Sequence, residues 1–138
     1  MKSGRLASAV AALAAAALLL ASPRAAAQGK FDLAVATDNK EAISQHDTFP
    51  QSTARIYVVY KVTLPKAGRV KSAWMAEKVE GEKENSKFSE NGSNLQPGTF
   101  MGVFSNGRPG SAWPAGTYRV DLYVDDKLEK SVRFRVVK

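Results

Sequence analysis

A single histidine, His46, stands among Asp38, Glu41 and Asp47 in the polar stretch before the first long run of β-formers. An imidazole with carboxylates could hold a hard cation or act as a general base. Their spacing follows no ligand motif, however, and scattered carboxylates are the ordinary make-up of a solvated connector, which is the stronger reading. A Ser-His-Asp arrangement would need His46 with a serine on a strained elbow, yet no G-x-S-x-G occurs. Asp125-Asp126 places two carboxylates side by side, but Asp accepts turn geometry and a turn explains them. No glycine-rich run has phosphate-loop spacing. Zero cysteines exclude thiolate zinc sites, thiol redox chemistry and cysteine nucleophiles. The expectation is therefore no catalytic residue, no metal, no cofactor and no enzyme, with a site around His46 as the weakest alternative.

Trp113 invites a different chemistry. It lies in Ser105-Asn106-Gly107-Arg108-Pro109-Gly110-Ser111-Ala112-Trp113-Pro114, a stretch otherwise made of turn-formers. A loop indole with Arg108 and Asn106 nearby could stack on a sugar ring or anchor a protein partner. The same indole could instead fold back and cap one end of a core, and that reading is the stronger of the two. Asn91-Gly92-Ser93 matches the N-glycosylation pattern but serves here mainly as a sign of exposure, with Asn91-Gly92 marking a turn.

The elements that must position these residues are strands. Segments with period-two alternation and β-branched or aromatic residues recur between Gly, Pro, Asn and Asp, and no stretch keeps a helical period. Strands are predicted over 30–37, 55–64, 69–80, 99–104, 116–124 and 128–137. In 55–64, Ile56, Val58, Tyr60, Val62 and Leu64 share one face while Tyr57 and Val59 occupy the other, so this strand should be central. Trp74 should anchor the core from the following strand. Between Glu80 and Thr99 lies a polar stretch too long to be structureless in a compact domain, which predicts a short edge strand over 85–89. At the end of the chain, a two-residue turn at Asp125-Asp126 would pair Val124 with Lys127 and carry Glu129, Ser131 and Arg133 onto the core face. A three-residue connection, 125–127, or a bulged equivalent, pairs Val124 with Leu128 and Val120 with Val132, and is the predicted register.

The N-terminus reads as an export signal. Lys2 and Arg5 supply positive charge, residues 6–21 form an apolar run, and Ala25-Ala26-Ala27 supplies an A-x-A cleavage site. A spanning helix needs about 20 apolar residues, more than this run offers before Pro23 and Arg24 close it. The expected organisation is a signal peptide over 1–27 and one domain over 28–138, exported to the periplasm or secreted, with no transmembrane segment after cleavage. Three of the twenty basic residues leave with the signal, so the whole-chain charge of +7 falls to +4, 17 basic against 13 acidic. Lys and Glu alternate locally, as in Glu82-Lys83-Glu84, which is a mixed solvated surface and argues against nucleic acid as a partner. Without disulfides, apolar packing alone must hold the domain.

The mature segment resembles an immunoglobulin-like, fibronectin type III-like β-sandwich of exported bacterial proteins. The resemblance rests on Trp113-Pro114-Ala115-Gly116-Thr117-Tyr118-Arg119-Val120 leading into the terminal hairpin, and on Trp74 in the third long strand. It implies an all-β, single antiparallel sandwich of about seven strands, with Tyr118 at a tyrosine corner and Val120 two residues on at the inward position that antibody domains fill with Cys. Trp74, Tyr118, Val120 and Phe134 should form the core. Both disulfide cysteines are missing, and Pro114 stands where antibody domains commonly have Asp, so the likeness is one of fold. The function expected on these grounds is a non-enzymatic binding or accessory module acting through its loop ends, on an envelope protein or a carbohydrate. One end would combine 65–68, 91–98 and 125–127; the other, 38–52 with 105–113. The alternative is a structural component of an envelope complex that pairs through a sheet edge.

Overall fold

The computed structural model describes residues 29–41 and 46–138. The expected signal peptide lies outside the described residues. Eight strands follow in order: β1 (Lys30–Thr37), β2 (Thr48–Pro50), β3 (Arg55–Leu64), β4 (Gly68–Val79), β5 (Ser86–Leu95), β6 (Gly98–Gly107), β7 (Gly116–Val124) and β8 (Lys127–Val137). They form two sheets, β1-β3-β6 and β2-β8-β7-β4-β5. The domain is an all-β sandwich, and β3 is central in the smaller sheet as its two-sided apolar pattern requires.

One face of each sheet supplies the core. From the smaller sheet come Ile56, Val58, Tyr60, Val62 and Phe104; from the larger come Val70, Trp74, Val120, Leu122, Phe134 and Val136, all buried. Trp74 is fully enclosed and donates its indole N–H to Ser72 Oγ at 3.1 Å, which satisfies its one polar atom. Tyr118 and Phe134 are directly opposite across β7 and β8 and stack at 5.1 Å, and Phe49 meets Phe134 edge-on at 5.6 Å. Burial of each such side chain contributes about 1.5–3 kcal/mol, which is how a chain without disulfides holds together.

Three expectations need correction. The eighth strand, β2, arises in the polar connector, where Phe49 turns into the core and Thr48–Pro50 pair parallel with Arg135–Val137. A three-residue strand carries too little pattern to be read. Second, the edge strand after Glu80 is 86–95 rather than 85–89: Asn91 and Gly92 pair with Ser72 and Lys71 and make no turn. The Arg69 side chain lies across Gly92, its guanidinium 2.6 Å from where a Cβ would stand. Third, of the two forms expected for the β7–β8 connection, the three-residue one does not occur and the bulged equivalent does, built on a two-residue turn. Asp125 and Asp126 both take left-handed backbone, φ 48° and 65°, and Val124 pairs with Lys127. Core charge is avoided by a register shift between Leu122 and Tyr123, opposite which Glu129 is the extra residue, so that Val120 still meets Val132. Leu128, expected to pair with Val124 inside, is instead 54% exposed.

Gly116 positions the start of β7. Its φ is +149°, and a Cβ there would lie 2.3 Å from the Lys78 carbonyl oxygen, so only glycine lets β7 approach β4 at the irregularity beside Glu77.

Candidate functional site

The stretch 105–114 is tied down along its length by the segment that leads into β3. Arg108 donates its backbone N–H to the Ala54 carbonyl at 2.8 Å and its Nη1 to the Ser52 carbonyl at 2.7 Å. Trp113 donates its backbone N–H to Gln51 at 3.0 Å and its indole Nε1 to Thr53 at 2.9 Å; Gln51 returns a bond from Nε2 to the Trp113 carbonyl at 2.8 Å. Asn106, expected in the loop, lies instead near the end of β6, opposite Ile56; it accepts from Ser89 Oγ at 3.0 Å, which ties β6 to β5, while its Nδ2 is enclosed without a hydrogen-bond partner. The three residues considered for ligand contact thus share one end of the sandwich. Yet Trp113 is only 1% exposed, and in this position it caps the core and offers no open ring face.

The exposed aromatic at this end is Phe88, a large apolar side chain on the otherwise polar edge strand β5. Trp74 pairs with Ser89 and Met75 with Lys87, so Phe88 is the extra residue of a β-bulge in β5. Bulges re-aim a side chain, and this one sets Phe88 edge-on to Trp113 at 6.4 Å and to Tyr118 at 5.9 Å. The ring remains 43% exposed. Phe88, Pro109, Trp113, Pro114 and Tyr118, with Glu82 at the rim, enclose a half-open apolar notch of about 140 Å³. That volume is close to the roughly 150 Å³ of cavities that accept a benzene ring.

Tyr118 forms the back of the notch and the corner of the fold at once. Its hydroxyl donates to the Pro114 carbonyl at 2.6 Å, four residues upstream, as in a tyrosine corner. Burial, with a smaller contribution from the Glu82 charge, pushes its pKa up to about 12, so the phenol stays neutral and keeps donating at physiological pH. The notch walls are apolar, and Glu82 at the rim is the one charged side chain that lines it. What it can do is hold an apolar group.

The remaining sequence candidates do not assemble. His46 donates its backbone N–H to the Ala36 carbonyl at 2.9 Å, and its exposed ring lies 6.2 Å from Phe49. Asp38 and Glu41 are exposed, and Asp47 accepts from its neighbour Thr48. Among the described residues no group of three His, Asp or Glu side chains could hold a metal ion. At the opposite end, Asp125 Oδ1 accepts from the Arg69 backbone N–H at 2.9 Å and Asp126 pairs with Lys71 at 3.2 Å, so the turn is closed by its own carboxylates. Residues 91–95, expected among the loops there, belong to β5.

The outer face of the larger sheet carries an ion network that no sequence motif announced. Glu77 binds Arg119 at 2.8 Å and Arg133 at 3.2 Å, and the buried Asp121 accepts from Arg119 Nε at 2.9 Å and Ser131 Oγ at 2.7 Å. The hydrogen bond from Arg133, then that from Arg119, holds the Glu77 carboxyl below its ordinary range. These charges satisfy one another across β4, β7 and β8, which makes them part of the sheet.

No protein-family model and no curated relative matches the sequence. Solved structures do share the fold. A Pseudomonas fluorescens alkylpurine DNA glycosylase, bound to DNA containing an abasic site analogue, superposes over 81% of this chain at 16% identity and a TM-score of 0.57. A β-glucosidase from Erythrobacter marinus does so over 80% at 16% identity and 0.53. An immunoglobulin-like protein from Pseudomonas aeruginosa matches over 80% at 11% identity and 0.53. The chain spans 31% of the glycosylase and 15% of the glucosidase but aligns with 98% of the immunoglobulin-like protein. At such identities the likeness is one of architecture, an immunoglobulin-like β-sandwich, and fold alone does not carry activity.

Proposed function

We propose that this chain is an exported, non-enzymatic binding module whose working surface is the loop end around the Phe88 notch, and that it takes an apolar side chain from a protein partner. The observation that carries the reading is the bulge that leaves Phe88 exposed on a polar edge strand, directly over an apolar notch. Hot spots of this form combine one accessible aromatic with a pocket whose walls are already rigid. Here rigidity comes from the backbone anchors of Trp113 and Arg108. The arrangement favours a protein over a carbohydrate, because the exposed Phe88 ring stands edge-on over the notch and both Arg108 and the Trp113 indole N–H are committed to backbone carbonyls.

The test compares wild type with Phe88→Ser and Phe88→Leu in capture of partners from envelope extracts, after equal urea midpoints show that each variant folds. The reading expects a partner bound by wild type, lost with serine and kept at least in part with leucine. A partner retained fully by the serine variant would remove the notch from the account.

The alternative, assembly through a sheet edge, is favoured by the length of β5, ten residues with one side unpaired. Proline at a β5 position whose N–H points away from β4 would break such an assembly while leaving notch binding intact.

A further inference from the structure

On the same end of the larger sheet, but on its outer face, β4, β7 and β8 line a shallow, open groove of about 630 Å³. Lys78 and Arg135 are both direct cross-strand neighbours of Thr117, one on each side, so the three side chains form a row across the strands. Lys138 and Glu80 close the end of the groove and pair with each other at 3.3 Å. Lys78 Nζ, the Arg135 guanidinium and the Thr117 hydroxyl make no hydrogen bond or ion pair among the described residues. That sets them apart from their neighbours on this face, where Glu77, Arg119, Asp121, Arg133, Lys71 and Glu90 are all paired. Among the side chains, Lys138 and Glu80 offset one another, which leaves Lys78 and Arg135 as two cations without a partner carboxylate.

We infer that this groove binds a soluble phosphate monoester. The guanidinium fork recognises two oxygens of a tetrahedral oxyanion, the ammonium supplies a point charge from the opposite side, and the Thr117 hydroxyl donates between them. The pair of cations matches the dianion, which prevails above the second pKa of a phosphate ester, about 6. A planar carboxylate carries half that charge and fewer acceptors, so it fills the row less well. The site is separate from the Phe88 notch and does not depend on the function proposed for it.

The test titrates the mature chain with glycerol phosphate at pH 8 and follows the Thr117 amide and Arg135 Nε resonances. Saturable shifts are expected, weakened about tenfold or more in Arg135→Gln and in Lys78→Gln, as loss of a charge-assisted bond implies, and several-fold in Thr117→Val. The exposed positions of Lys78 and Arg135 should leave the melting temperature of those variants unchanged. Acetate or chloride at equal ionic strength producing the same shifts would overturn the inference, as would undiminished binding by Arg135→Gln. So would a preference for phosphatidic acid vesicles over the soluble ester at equal phosphate.

Discussion

The Tyr118 hydroxyl and the Trp113 indole lie on either side of Pro114, and both are committed to backbone carbonyls. Tyr118→Phe removes the donor to Pro114 and should cost about 1–2 kcal/mol in urea unfolding, with binding at the notch retained because the ring stays. The same residue predicts an alkaline effect. Its pKa is higher folded, about 12, than the ordinary 10.0, so the folded state holds the proton more tightly. The stabilising contribution is complete below pH 10 and is lost as pH rises toward 12. Stability measured across that window should fall, and Tyr118→Phe should flatten the slope. Tyr60, raised by burial alone, contributes a loss of the same sign and should leave a remainder in the variant. Trp113→Ala opens a large core cavity and strands the Thr53 carbonyl, at a cost of about 3–5 kcal/mol. Loss of binding in that variant would report unfolding, which is why Phe88 is the position to probe.

Individual strands were legible to different degrees, for physical reasons. The bounds of β1, β3 and β7 could be read directly because apolar residues alternate through them and turn-formers close them. The sequence Ser86–Leu95 has no such alternation, since an edge strand with exposed side chains needs only backbone pairing on one side, and half of it was mistaken for a loop. In the terminal hairpin, the reasoning that apolar faces must coincide held at Val120 and Val132, and of the two forms it allowed the bulged one occurs, at Glu129, in place of the longer turn. Both aspartates at the turn tolerate left-handed backbone at a cost that glycine avoids. Asp126→Gly should therefore stabilise by about 0.5–1 kcal/mol in urea unfolding, offset in part by loss of the exposed Lys71 pair. Conversely, Gly116→Ala meets both the wrong φ and the Lys78 carbonyl, and should destabilise by about 2 kcal/mol or more. The notch itself was not legible, because a bulge depends on the pairing of β5 with β4, and nothing local to Lys87-Phe88-Ser89 shows which residue is extra.

For the whole molecule, acid should act through the outer-face network. The Glu77 carboxyl is held below its ordinary 4.5 by Arg133 and Arg119, so its contribution is complete above that pH and is lost as pH falls through the lowered folded value. Glu77→Gln should reduce that acid dependence in a stability profile. The apolar core, this network and the loop anchors keep the shape, and Phe88 rests against Trp113 and Tyr118 with 43% of its surface exposed. The most direct test places a photo-crosslinking benzoyl-phenylalanine at position 88 in the cells that make the protein, with the same probe at the exposed Leu128 for comparison. The account predicts a discrete protein adduct at position 88 and none of that kind at 128; the same adducts at both positions, or none at 88, would contradict it.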